Sequence, residues 1–71
     1  MSFWPSSTAR EVLKARRKLG WVDKRTSGSH RVLSRPGDQD YVFAFNEGDE
    51  IGPRMLARIG KHTGLTPAHL R

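Results

Sequence analysis

The sequence predicts an α+β fold in the order α-β-β-β-α, a three-stranded antiparallel sheet with two helices on one face. Three observations carry this. A capped amphipathic stretch comes first, three short β-prone runs follow at close spacing, and a proline-led apolar stripe ends the pattern. A chain of 71 residues makes one small domain. Such a domain buries only about 60 % of its unfolded surface, so its core is thin and its natural site is a shallow groove or an open sheet face.

Thr8 and Glu11 form a Thr-x-x-Glu capping box, and Ala9, Val12 and Leu13 follow at helical spacing. Arg16, Arg17 and Lys18 fill the end of the stretch, where the helix dipole favours cations. Gly20 suits the position after the helix end. The first helix is therefore expected over residues 8–19, after a poorly ordered tail at 1–7.

The run 21–25 reads as a first strand and Thr26-Ser27-Gly28-Ser29 as a turn. The run 30–35, with Val32 and Leu33, reads as a second strand, and Pro36-Gly37-Asp38 as the turn after it. Residues 41–45, Tyr-Val-Phe-Ala-Phe, make the strongest strand, followed by an acidic loop at 46–50. Connections this short make neighbouring strands antiparallel. Strand three is apolar on both parities, so alternation does not reveal its inward face.

Pro53 suits the first position of a second helix, with Met55, Leu56 and Ile59 as its buried stripe. Gly64 ends it, Leu65 folds back as the apolar contact of the ending, and Thr66-Pro67 opens a last short turn. The expected core is Val12, Leu13, Trp21, Val22, Leu33, Phe43, Phe45, Leu56 and Ile59. One domain over 8–65 and a C-terminal tail at 66–71 complete the organisation.

Thirteen Lys and Arg oppose seven Asp and Glu, a net charge of +6. The first 35 residues hold nine cations against two acids, whereas residues 36–71 hold four against five. Basic charge gathered in one half is the footprint of a polyanion partner. There is no cysteine, which excludes disulfide scaffolds and thiolate zinc sites. Met1-Ser2-Phe3-Trp4-Pro5 lacks the pattern of a signal peptide, and no apolar run approaches the roughly 20 residues that span a bilayer. A soluble, cytoplasmic protein is expected, without membrane association.

Gly28-Ser29-His30 places an imidazole where a tight turn enters a strand, with Lys24, Arg25 and Arg31 close in sequence. RNA carries its own nucleophile, the 2′-hydroxyl, so its cleavage needs proton transfer and charge stabilisation at phosphorus. An imidazole titrates near neutrality and can take that proton. Arg31, Lys24 or Arg25 can steady the developing charge, and Gly28 lets a phosphate approach the backbone. The second proton-transfer group is water, Tyr41 or a lysine. Arg16, Arg17 and Lys18 form a phosphate track along the first helix. His30 also fits an inert strand residue, and Gly28 and Ser29 fit an ordinary turn.

His62 and His69 are seven residues apart with no suitably spaced carboxylate, so neither a metal site nor a cofactor is expected. Trp21 is expected to anchor the core. Trp4 either stacks on a base or packs loosely.

Several of these pieces together resemble the HicA-type toxins, small ribonucleases of bacterial toxin–antitoxin pairs. The matching pieces are Gly20-Trp21, Gly28-Ser29-His30, Arg35-Pro36-Gly37 and Gly52-Pro53-Arg54 with Leu56, Ile59 and Gly64-Leu65. The resemblance covers roughly residues 9–65. It implies a fold like a double-stranded-RNA-binding domain and metal-independent cleavage of single-stranded or messenger RNA. It also implies His30 as the catalytic residue and a HicB-type antitoxin that covers the site. Ala44-Phe45-Asn46-Glu47 stands where the family commonly has a proline and a histidine, and Arg31 stands where many relatives have a second histidine. A non-catalytic RNA-binding module and a protein-interaction domain are the competing functions. Replacing His30 separates the enzyme from the binder, and failure to bind RNA at low salt would favour the interaction domain.

Overall fold

The computed structural model describes residues 3–70; Met1, Ser2 and Arg71, at the outer ends of the two expected tails, lie outside the described residues. The elements run β1 (Ser7–Thr8), α1 (Ala9–Lys18), β2 (Val22–Ser27), β3 (His30–Ser34), β4 (Tyr41–Ala44), β5 (Glu50–Ile51), α2 (Pro53–Thr63) and a closing 3₁₀ turn (Pro67–Leu70). Strands β2, β3 and β4 form an antiparallel sheet in chain order, backed by the two helices.

The capping box forms. The Glu11 N–H donates to the Thr8 hydroxyl at 3.3 Å, and the Thr8 N–H donates to Glu11 Oε1 at 2.9 Å. One side of α1 then buries Ala9, Val12, Leu13 and Ala15. The helix ends as the N–H groups of Leu19 and Trp21 donate to the Arg16 carbonyl and that of Gly20 to the Arg17 carbonyl. Helix α2 starts at Pro53 and ends at Gly64, which takes φ +83° and donates to the Gly60 carbonyl. Leu65 is buried immediately after it.

Strand β3 is central. Its partners across β2 are Ser27 for His30, Thr26 for Arg31, Arg25 for Val32, Asp23 for Leu33 and Val22 for Ser34. Its partners across β4 are Ala44, Phe43, Val42 and Tyr41 for His30 to Leu33 in turn. Directly opposed residues share a face. Leu33 and Phe43 are buried, so the rows Asp23–Leu33–Tyr41 and Thr26–Arg31–Phe43 lie on the helix side. The rows Ser27–His30–Ala44, Arg25–Val32–Val42 and Val22–Ser34 lie on the open side.

The register shifts between Asp23 and Arg25, leaving Lys24 as a bulge. Asp23 and Arg25 have the same parity, so an unbroken strand would put both under the helices. The extra residue turns Arg25 onto the open face.

The core joins Trp21, Leu33, Phe43, Ile51, Leu56, Ile59 and Leu65 to the α1 stripe. Burying each of the larger side chains contributes about 1.5–3 kcal/mol. The Trp21 indole N–H donates to the Thr63 carbonyl at 2.9 Å and ties the start of the sheet to the end of α2.

Two expected core positions, Val22 and Phe45, and one residue of the expected α2 stripe, Met55, differ. Val22 is 61 % exposed, because Trp21 fills the core just before the strand and Val22 takes the opposite parity. Met55 is 38 % exposed beside the buried Leu56 on α2. Phe45 is half-buried, its ring centroid 5.1 Å from that of Phe43.

The expected tails and acidic loop also carry structure. Ser7 is buried and pairs with Ile51, which makes the small β1–β5 ladder. Trp4 packs on Gly60, where an added Cβ would lie 2.9 Å from the indole and 2.5 Å from the Leu65 carbonyl oxygen. Leu70 packs against the core from the C-terminal turn.

Candidate active site

Ser27 and His30 are cross-strand partners, so the loop between them is only Gly28 and Ser29. Gly28 takes φ +59°, and a glycine at that first position suits the type II′ hairpin turn. The turn delivers His30 as the first residue of β3, exposed on the open face beside Ser27 and Ala44. Arg25 lies exposed on the same face one row further on, opposite Val32. Ser29 is half-buried at the turn. Gly28 is exposed and would offer an added Cβ no atom within 4 Å. His30, Arg25, Gly28 and Ser29 therefore gather at one end of the open face.

The other cations named from the sequence lie elsewhere. Lys24 sits at the bulge, its ammonium 2.8 Å from Asp40. Arg31 follows His30 but points to the helix side, 3.2 Å from Asp23 and 3.5 Å from Glu47. Its Nε is buried with no hydrogen-bond acceptor among the described residues. Arg16 grips Asp23 with two bonds, Nε to Oδ1 at 2.9 Å and Nη2 to Oδ2 at 3.0 Å, and also donates to the Leu13 carbonyl.

Desolvation pushes the Asp23 carboxyl up. The hydrogen bond and charge of Arg16, and then those of Arg31, outweigh this and hold it below its ordinary value. Arg17 and Lys18 are exposed and form no ion pair among the described residues. Arg17 lines the groove beside Asp23 and Arg31, whereas Lys18 lines a separate surface with Glu11, His69 and Leu70.

Tyr41 is not beside His30. It lies on the helix side, opposite Leu33, and stacks on His62 with centroids 5.5 Å apart. Burial raises its phenol above the ordinary value against an opposing pull from Arg58. His69 is also accounted for locally, since its Nδ1 accepts from the Thr66 N–H at 2.9 Å.

Sequence reasoning missed Asp23 as the hub that joins α1 to the sheet. The signal was present, because Asp23 is the only acid between Glu11 and Asp38 in the most basic part of the chain. Among the described residues, no three His, Cys, Asp or Glu side chains gather as a metal site, and no helix is long and apolar enough to cross a membrane.

A helix-backed sheet with an imidazole at a hairpin mouth on its uncovered face defines a class, a small α+β domain whose chemistry is presented on a surface. Residues 9–65 match the family described as the HicA toxin of bacterial toxin–antitoxin systems. The chain belongs to that family and is a toxin of the toxin–antitoxin type. No curated protein matches it.

Proposed function

We propose that the protein is an endoribonuclease that cleaves messenger RNA without a metal, with His30 moving the proton. The observation that carries this reading is the exposed imidazole on an uncovered sheet face, with Arg25 exposed on that same face one row further on.

The ribose 2′-hydroxyl gives its proton to the His30 ring and attacks the adjacent phosphorus. The bond from phosphorus to the 5′-oxygen breaks, leaving a 2′,3′-cyclic phosphate. The 5′-oxygen takes a proton from solvent or from the imidazolium just formed. Arg25 holds the non-bridging oxygens as charge builds on them. Its guanidinium forms no ion pair among the described residues, whereas Arg31 is held by Asp23 and Glu47. The exposed Gly28 turn leaves room for the phosphate to approach.

A HicB-type antitoxin in the cytoplasm covers His30 and the open face. Val22 and Val42, 61 % and 54 % exposed, offer it apolar contact there.

Replacing His30 with alanine tests the reading. Loss of general acid–base help is expected to slow RNA cleavage by about 10²–10⁴-fold while RNA affinity and the circular dichroism spectrum stay as in the wild type. Cleavage by the His30→Ala protein at the wild-type rate would overturn it.

A further inference from the structure

A strongly cationic concavity lies away from His30. It lies between α1 and the β2–β3 hairpin, where Arg10, Lys14, Arg16, Arg17 and Arg31 surround Asp23 and Glu47. We infer that this groove is a second RNA site, one that holds the sugar–phosphate backbone flanking the scissile linkage. The inference rests on the ribonuclease reading above and adds to it a path for the strand.

Arg10, Lys14 and Arg17 follow i, i+4, i+7 spacing, which places them in one stripe on α1. The stripe runs about 10 Å along the helix axis. Lys14 and Arg17 form no ion pair among the described residues, and Arg10 meets only Glu47, at 3.5 Å with both side chains exposed. Arg16 differs, because Asp23 binds it twice. Asp23 thus occupies Arg16 on the sheet side of the groove, while Lys14 and Arg17 keep their charge unpaired among the described residues.

A row of solvated cations beside an uncommitted concavity tracks a polyanionic backbone, and guanidinium forks bind phosphate two bonds at a time. The groove also leads to the reactive residue. Arg31 lines it, and His30 precedes Arg31 on the opposite face of β3, the two Cα atoms about 3.8 Å apart. RNA lying along α1 therefore reaches the imidazole around the end of one strand.

The test measures RNA binding on a His30→Ala background, with a single-stranded RNA of mixed sequence across a salt series. Arg10→Gln/Lys14→Gln is compared with Arg54→Gln/Arg58→Gln, which removes the same charge from α2. Glutamine keeps helix propensity at both exposed α1 positions, so the fold is retained. Each cation that neutralises a phosphate of a single strand adds about 0.7 to the slope of log affinity against log salt. The groove variant is expected to weaken binding and to flatten that slope by about 1.4, the share of two such cations. The α2 variant is expected to change the slope by less than half of that.

Equal effects of the two variants would reduce the groove to general electrostatics and overturn the inference. Unchanged RNA binding with loss of antitoxin binding would overturn it in favour of a protein contact. In both cases the ribonuclease reading stands if the wild-type protein cleaves RNA. A wild-type protein that neither binds nor cleaves RNA would overturn both.

Discussion

Strand β3 passes between two environments. On its helix side Leu33 is buried with Phe43, and Arg31 is held by Asp23 and Glu47. On its open side His30 is exposed, Val42 is 54 % exposed opposite Val32, and Arg25 forms no ion pair among the described residues. The same alternation thus divides the strand's work. One parity packs the core and engages the acids at the edge of the α1 groove, and the other stays exposed on the open face. In a domain with so thin a core, a single sheet face cannot serve both ends. The Lys24 bulge enlarges the available side by turning Arg25 towards it.

The sharpest way to break this comparison is to truncate neighbours on opposite faces. Phe43→Ala is expected to cost about 3–5 kcal/mol, since the side chain is fully buried in the core. Val42→Ala, one residue earlier, is expected to cost less than about 1 kcal/mol because its side chain is mostly in water. Urea unfolding of the two proteins measures the contrast. Similar losses would mean that the open face is packed against something in solution.

Trp21→Phe comes next. It keeps an aromatic ring in the core but leaves the Thr63 carbonyl without its indole donor. It also weakens the contact with the Arg35 guanidinium, which lies 4.7 Å from the ring centroid. The expected loss is about 1–3 kcal/mol, read from the same unfolding curves, with RNA cleavage unchanged at temperatures where the protein is folded. A change in cleavage by the folded protein would show that the two faces communicate.

Asp23→Asn probes the border between the faces and has a smaller, pH-dependent effect. The folded carboxyl titrates below its unfolded value, so its ion pairs contribute stability that is fully present above the unfolded value near pH ~4. That contribution fades as pH falls further, through the lower folded value. The wild type is therefore expected to exceed Asp23→Asn by roughly 1 kcal/mol at neutral pH, the pairs being partly solvated, and to converge with it in acid. Thermal melts across an acid series measure the convergence. A constant difference would assign the effect to packing instead of charge.

Much of this division was legible in the sequence, and the failures share a cause. The capping box, Gly64 and the hairpin turn announce α1, the end of α2 and the position of His30, because each depends on local chemistry. Strands β1 and β5 have two residues each, too few for any period to register. Trp4 gave no sign of its seat on Gly60, since that packing joins residues distant in sequence. Adjacency in sequence does not group the cations, because adjacent residues face opposite ways on a strand and lie about 100° apart on a helix. Arg31 therefore leaves His30's face. On α1 the groove takes Arg10, Lys14 and Arg17, while Arg16 binds Asp23 and Lys18 lies on another surface. Val22 leaves the expected core because adjacent strand residues face opposite ways and Trp21 takes the inward side.

The finest test of the comparison concerns Gly28, where turn and open face meet. Its φ of +59° disfavours most side chains, so Gly28→Ala is expected to cost about 1 kcal/mol through the backbone, an added Cβ having no atom within 4 Å to strike. Asparagine adopts such turn conformations more readily, so Gly28→Asn is expected to cost under about 0.5 kcal/mol and to preserve the hairpin. If a phosphate approaches this turn during cleavage, the asparagine side chain occupies the space it needs. Cleavage is then expected to fall several-fold in Gly28→Asn while the melting temperature drops by less than about 4 °C. Wild-type cleavage by that variant would confine the reactive surface to the strand residues His30 and Arg25 and leave Gly28 as the turn that presents them.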